Sequence, residues 1–269
     1  MANYINLQPT DLTYLSWSLS RSSSGTAGSF LKSYEEINEK KYYYKMSNYD
    51  SVRGVIGHES VNEIVAENIA DLLHMEHLHY ELVYCRVKVS DKIFDTWVTK
   101  SVDFKQAGES KMTFETYYEI LHHDGEDKFG FIERMGLQDY FYQVFLLDYI
   151  ICNRDRHGAN IEVLQKEENY RLAPLFDHGL SFMFSCYNDG EKMLEFDKLK
   201  DGPVNNYVGS MNLSDNLKLV PKTFRQKVTM PSRAQLFQGL ENAKGAVPEE
   251  YWDCIYDMVK ERINYVKNI

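Results

Sequence analysis

Long apolar runs are missing from this sequence. No stretch of about 18 consecutive apolar residues, the length a helix needs to cross a bilayer, occurs in its 269 residues. The opening "MANYINLQPTDLTYLSW" also lacks a cationic segment followed by an apolar one, so neither a membrane span nor signal-directed secretion is expected. The expected location is cytoplasmic, with export by a signal-independent route left open. Cysteine is scarce: Cys85, Cys152, Cys186 and Cys254 lie far apart with no C-x-x-C pair. That pattern fits reduced, buried thiols better than a thiolate metal site or a disulfide framework. Positive charge is in deficit as well. Thirty Lys and Arg stand against forty Asp and Glu, a net charge of −10, which disfavours nonspecific attraction to nucleic acid or to anionic membranes. No direct nucleic-acid partner is expected. Internal repeats are absent, and the only biased stretch is a Ser-rich loop in the first thirty residues.

What is present is enough apolar material, 43% of residues, to fill the core of one large domain or of two lobes sharing a cleft. The first hundred residues read as strands and turns around one helix. "KKYYYKMS" is a strand that puts Tyr42 and Tyr44 on one face and Tyr43 and Lys45 on the other. "SVNEIVAENIADLLHME" is a helix, with Val61, Ile64, Val65, Ile69, Leu72 and Leu73 at helical spacing and Ser60 and Glu63 in a capping-box pattern. "LVYCRVKVS" and "FDTWVTKSVDF" follow as two strands across a short Asp91–Lys92 turn.

After about Lys105 helices dominate. "LQDYFYQVFLLDYIICN" is apolar nearly all round, as a helix buried within a lobe should be. "NIEVL", "QKEENYR" and "LAPLF" read as strand, polar turn and strand. "PEEYWDCIYDMVKERINYVKN" is an amphipathic closing helix with Pro248 and two glutamates at its start. The expected architecture is α+β and bilobal, with a small β-rich lobe over residues 1–104 and a mainly helical lobe over 105–269.

Two motifs flank the second hairpin. "NRDRHGAN" at Asn153 to Asn160 ends the buried helix, and "APLFDHG" at Ala173 to Gly179 follows the hairpin. An Asp, an Asn five residues on, a hairpin and then Asp-x-Gly is the order needed where phosphate and magnesium meet a hydroxyl nucleophile. The first Asp accepts the hydroxyl proton, and the Asn and the later Asp hold the metal through hard oxygen donors. These positions are Asp155, Asn160 and Asp177. Taken alone, "NRDRHGAN" also fits a polar helix end, and Asp-x-Gly fits an ordinary turn. Their order around a hairpin favours the catalytic reading. Gly179 is expected to give the sharp turn that aims Asp177 into the cleft. His157 is read as a neutral histidine packed beside the catalytic turn.

Upstream, Lys45 in an aromatic strand and Glu63 on the following helix match a lysine–glutamate pair that grips the α- and β-phosphates. Glu63 could equally complete the capping box with Ser60. The loop "SRSSSGTAGS" precedes the Lys45 strand and offers Ser23, Ser24 and Gly25 as phosphate-covering residues. It is neither a G-x-G-x-x-G nor a Walker A sequence.

"DYIICNRDRHGANIEVL", "RLAPLFDHGLSF" and "NEIVAENIA" together resemble the catalytic core of the HipA-like serine/threonine kinases, whose atypical kinase fold is related to that of the phosphoinositide kinases. The chain is closest in size to the compact members of that family. The resemblance implies ATP and Mg2+ as cofactors, Asp155 as base, Asn160 and Asp177 as metal ligands, and Lys45 paired with Glu63. It further implies γ-phosphoryl transfer to Ser or Thr of a protein substrate, an antitoxin-type partner, and autophosphorylation at Ser22, Ser23 or Ser24. "DRHGAN" is also similar to the catalytic loop of phosphoinositide kinases, which keeps a lipid kinase as an alternative. After Asp177, however, Lys192, Lys198 and Lys200 are outnumbered by Asp189, Glu191, Glu195, Asp197 and Asp201, an unfavourable field for an inositol phosphate. Two further readings are a catalytically inactive nucleotide-binding pseudokinase, and transfer of the AMP moiety by the same residues.

Overall fold

The computed structural model describes residues 8–20, 30–187, 189–243 and 245–269. The chain begins with β1 (Thr10–Leu12), β2 (Ser18–Ser20), β3 (Phe30–Ile37), β4 (Lys40–Met46) and the two-residue strands β5 (Tyr49–Asp50) and β6 (Gly54–Val55). Helix α1 (Glu59–Leu72) then leads to β7 (Tyr80–Val89) and β8 (Lys92–Val102). Next come β9 (Ser110–Thr113), α2 (Phe114–Leu121), α3 (Lys128–Arg134), α4 (Gln138–Ile151), β10 (Asp155–Arg156), β11 (Glu162–Lys166) and β12 (Asn169–Leu172). The chain closes with α5 (Gly190–Leu194), β13 (Asn205–Asn206), α6 (Leu213–Leu219), α7 (Lys222–Arg225), α8 (Arg233–Leu236) and α9 (Glu249–Asn268). The fold is mixed α/β.

Six strands form one sheet in the order β1-β7-β8-β4-β3-β2. Alternation along β4 sets its two faces. Tyr44 and Met46 sink into a core with Leu12, Leu31, Cys85, Val87 and Val98, which leaves Tyr43 and Lys45 for the other side. Antiparallel register then sets Lys45 beside Lys32 of β3 and Thr99 of β8. The β7–β8 connection is one residue earlier than the sequence suggests: Val89 pairs with Lys92, and Ser90 takes the left-handed backbone (φ 54°) that a two-residue hairpin loop requires.

The larger core gathers the apolar faces of α1, α2, α4 and α9. Phe114, Phe131 and Phe141 meet edge to face at its centre. Three strands, in the order β12-β11-β9, form a second sheet on this core, and β9 went unnoticed in the sequence. The stretch "LAPLF" is a strand only as far as Leu172; beyond it Leu175 makes one parallel bridge to His77.

Helix α1 is buried along almost its whole first three turns, including Glu59, Asn62, Glu63 and Glu67. Its capping box does not form. The helix begins one residue before Ser60, with His58 at the N-cap and no side-chain cap. Ser60 instead pairs with Ser47, whose hydroxyl accepts from the Ser60 amide at 2.9 Å. Glu63 is thereby left for tertiary contacts.

Candidate active site

Two of the predicted site residues lie at opposite ends of an ion-paired chain. Glu63 is buried on α1 between the sheet and the helices, and its Oε1 stands 3.1 Å from Nζ of Lys45. Its Oε2 accepts the backbone N–H of His178 at 2.7 Å. Nζ of Lys45 also lies 2.5 Å from Oδ1 of Asp177. One glutamate on α1 therefore grips both the sheet lysine and the backbone beside Asp177. Burial by itself disfavours the Lys45 ammonium, but the carboxylates of Asp177 and Glu63 outweigh it and hold the group charged above its ordinary range. Burial likewise works against the Asp177 carboxylate, and the charges of Lys45 and Lys32 overcome it, holding Asp177 ionised below the usual carboxylate range. For Glu63 burial prevails over Lys45 and raises its pKa.

The turn that presents Asp177 is not made where the sequence suggests. Asp177 itself adopts the left-handed conformation, φ 60°, and its N–H donates to the Tyr80 hydroxyl at 3.2 Å. Asp tolerates this conformation better than most residues. Gly179 serves a different purpose. A Cβ there would sit 2.9 Å from Cβ of Glu59, so its lack of a side chain is what lets this segment lie against α1. Asn62 completes the contact, donating from Nδ2 to the Gly179 and Ser181 carbonyls at 2.8 and 3.0 Å, while Tyr251 donates to its Oδ1 at 2.5 Å.

The Asp155 turn is fixed from below. Helix α4 ends with Cys152 in the left-handed conformation. Asn153 then bridges Asp148 and the Asp155 backbone, donating from Nδ2 to Asp148 Oδ1 at 3.0 Å and accepting the Asp155 N–H at 3.2 Å. Arg156 is buried and binds both oxygens of Asp148, at 3.0 and 2.7 Å. The same guanidinium donates to the carbonyls of Asn160 and Phe176 at 3.3 and 2.9 Å. One buried cation thus links the "NRDRHGAN" turn to the residue before Asp177. Arg156 is also 2.9 Å from Nδ1 of His178, a ring that burial, reinforced by that guanidinium charge, keeps neutral far below its ordinary range.

Asp155 is 8% exposed. Its Oδ1 accepts from Nδ2 of Asn205 at 2.9 Å, and its Oδ2 lies 3.7 Å from Nε2 of His157. Burial raises its pKa and the Asp177 charge adds to that; His157, Asn205 and Arg156 oppose it. His157 spends Nδ1 on the Ala159 N–H at 3.1 Å, which closes the turn. Asn160 gives its amide nitrogen to the Asp155 carbonyl at 2.9 Å, leaving the amide oxygen as the atom able to meet a cation. Glycine is needed at 158, where a Cβ would come within 2.9 Å of Cβ of Glu115.

Beside these groups opens a cleft of about 200 Å³. Tyr43, Leu78, Val102, Phe104 and Phe176 supply apolar walls; Lys32, Lys45, Lys111 and Asp177 supply charge. The rings of Phe104 and Phe176 have centroids 5.7 Å apart. Lys45 and Asp177 lie on this cleft wall, and Asp155 is close enough for the Asp177 charge to act on it. The positions Ser22, Ser23, Ser24 and Gly25 lie outside the described residues.

Sequence reasoning missed Lys32 and Asn205. Lys32 had a faint signal, since it alternates with apolar Leu31 in a strand and faces the same way as Lys45. Asn205 had none: it reaches Asp155 only because β13 pairs in parallel with β10, fifty residues away in sequence.

Among proteins of known structure, a crystal structure of the Helicobacter pylori proinflammatory kinase CtkA matches with a TM-score of 0.61 and 17% sequence identity, over 97% of this chain and 97% of that one. A structure of the Shewanella oneidensis MR-1 toxin–antitoxin system HipA, HipB and its operator DNA matches with a TM-score of 0.41 and 12% identity, over 91% of this chain and 67% of that one. No family model and no curated protein sequence matches the chain. The chain is similar in fold to that Helicobacter pylori kinase structure along nearly its whole length.

Proposed function

We propose that this kinase-fold chain is a HipA-like phosphotransferase that moves the γ-phosphoryl group of ATP to a Ser or Thr hydroxyl of a protein. The observation that carries the proposal is the convergence of Lys45, Glu63 and Asp177, with Asp155 within reach of the Asp177 charge, beside a cleft lined by aromatic and cationic side chains. The proposed organisation is bilobal, with residues 1–104 as the β-rich lobe, 105–269 as the helical lobe, and the nucleotide in the cleft between them. The flat apolar walls formed by Phe104, Phe176 and Val102 suit a purine base, and Lys32 and Lys45 suit its phosphates.

Phosphoryl transfer spreads negative charge over the moving group, so catalysis comes mainly from positioning and from fixed cations. Lys45, oriented by Glu63, would hold the α- and β-phosphates. Asp155, in its carboxylate form, would accept the proton of the attacking hydroxyl. The donor set of Asn160 and Asp177 fits Mg2+: it consists of hard oxygens, with the Asn160 amide turned by its bond to the Asp155 carbonyl and Asp177 kept ionised. When bound there, Mg2+ would neutralise charge on the phosphates.

The excess of acidic residues after Asp177 favours a protein hydroxyl over an inositol phosphate as acceptor. An antitoxin-type partner and autophosphorylation at Ser22 to Ser24 belong to this reading through the resemblance of the motifs. The test is intact-mass spectrometry of wild type and Asp155→Ala after incubation with ATP, Mg2+ and a generic protein acceptor. Increments of one phosphate on wild type alone support the proposal. An AMP-sized increment would replace it with nucleotidyl transfer, and ATP binding with no increment would leave a lipid kinase or an inactive module.

A further inference from the structure

Helix α1 ends in a turn that folds the chain back along it. His74 takes the left-handed conformation (φ 54°), and the N–H groups of His74 and Met75 return to the Asp71 and Ala70 carbonyls. The next residues run beside the helix into β7. They are pinned by exchange with the segment that carries Asp177: Leu78 N–H to Leu175 carbonyl at 2.8 Å, and Leu175 N–H to Glu76 carbonyl at 2.9 Å. Glu67 and Asp71, one helical turn apart, thereby meet His77 and His79, two residues apart on one side of an extended strand.

One candidate ligand atom from each of these four residues lies within 4.8 Å of all the others. His77 is 8% exposed, and its Nε2 is buried with no hydrogen-bond partner. Its Nδ1 is 2.7 Å from the Met75 carbonyl. A carbonyl only accepts, so Nδ1 carries a proton, and the ring points its Nε2 at Oδ1 of Asp71, 3.5 Å away. The buried, partnerless Nε2 and the Asp71 carboxylate oxygen face each other across a gap that a cation can bridge. The second pair has the same spacing, with His79 Nδ1 3.0 Å from Glu67 Oε1. Ligands of a tetrahedral Zn2+ at bond lengths of about 2.1 Å are roughly 3.4 Å apart, so both pairs already stand close to ligand spacing. Bringing the pairs together needs only side-chain rotation, which the exposed Asp71 and His79 can supply. Glu67 Oε2 is oriented by the Tyr80 N–H at 2.8 Å, and His77 by its carbonyl, the outer-shell bonds a metal site requires.

We propose that Glu67, Asp71, His77 and His79 form a binding site for a Zn2+-class cation, separate from the Asp177 cleft. Two imidazoles with two carboxylates suit Zn2+ and its borderline neighbours, whereas Mg2+ and Ca2+ favour all-oxygen shells. Because Glu67 lies one turn beyond Glu63 on the same helix, the bound ion would anchor the end of the helix that holds Lys45.

The test is calorimetric titration of the chelator-treated full chain with Zn2+ in excess Mg2+, followed by Co2+ substitution. The expected result is one equivalent of Zn2+, a tetrahedral Co2+ visible spectrum, and a rise in Tm with Zn2+. Affinity should fall by more than about tenfold in His77→Gln, in His79→Ala and in Asp71→Ala, and stay at the wild-type level in Asp177→Asn. His79 and Asp71 are exposed, so those two variants test the site even if His77→Gln does not fold. Wild type binding Zn2+ no more tightly than His79→Ala and Asp71→Ala would overturn the proposal, as would loss of binding in Asp177→Asn.

Discussion

Nζ of Lys45 lies 2.5 Å from Oδ1 of Asp177 across 132 residues of sequence. The pair joins the six-stranded sheet to the segment that follows the second hairpin, and Glu63 holds both ends. A lysine between two carboxylates offsets the repulsion that would otherwise act between them.

Lys45→Met should therefore do more than weaken nucleotide binding. It leaves the buried Glu63 and the partly exposed Asp177 as facing negative charges, at a cost of up to about 3 kcal/mol, the lower end for a buried pair. Protonating one of them relieves the repulsion, so the variant's deficit relative to wild type should shrink as pH falls. Denaturant midpoints for both proteins at several pH values check the sign; a deficit independent of pH would contradict it.

Asp155 is raised in pKa by burial and by the Asp177 charge, against the hydrogen bond from Asn205. Its protonated form cannot accept the hydroxyl proton. The acid limb of kcat/KM should accordingly lie above the ordinary aspartate value of about 3.9. Asn205→Ala removes a bond to the charged form and should move that limb to higher pH, with KM for ATP little changed. Asp155→Ala should lower kcat by about 10²–10⁴-fold. Steady-state kinetics across pH measures all three.

Gly179→Ala places a methyl group 2.9 Å from Cβ of Glu59 and 3.4 Å from Oε1 of Glu63. Neither neighbour can retreat freely, because Glu59 accepts from the Asn48 N–H and Glu63 from the His178 N–H. The expected cost is about 1–3 kcal/mol from unfolding midpoints, with a loss of activity as Asp177 shifts from Lys45.

His58 is buried at the start of α1 with both ring nitrogens lacking hydrogen-bond partners, and burial pushes its pKa down to about 3. The unfolded chain binds its proton near pH 6.5. Stability is thus fully present above pH 6.5 and lost as pH falls toward 3, at up to about 1.4 kcal/mol per pH unit. The buried Glu59, Glu63 and Glu67 have raised pKa values and contribute in the opposite sense. The difference between wild type and His58→Phe isolates the histidine: the variant should lose less stability between pH 6 and 4, as followed by Tm.

Local chemistry was legible in the sequence. The alternation in "KKYYYKM" was enough to turn Lys45 away from the Tyr44 face, helical spacing located α1, α4 and α9, and the motifs singled out Lys45, Glu63 and Asp177, which the fold brings within bonding distance. These signals survive because they depend on neighbours a few residues apart. Where sequence reading went astray, a tertiary contact had overridden a local preference. Ser60 could have capped α1 with Glu63, but Ser47 from the preceding strand took Ser60, and Lys45 took Glu63. Gly179 looked like a turn residue and proved to be a point of close approach, while Asp177 adopted the left-handed backbone.

Only the folded chain decided the rest. Asn205 supports Asp155 through a two-strand pairing that leaves no mark in composition or spacing. Lys32 becomes a cleft cation because strand register sets it beside Lys45. His77 and His79 meet Glu67 and Asp71 because one residue, His74, reverses the chain at the end of α1. The sequence by itself determined which side chains carry charge and which faces are apolar, since those are properties of single residues and short periods. Which of those charges stand within bonding distance was decided by register and chain reversal, which bring together residues far apart along the chain.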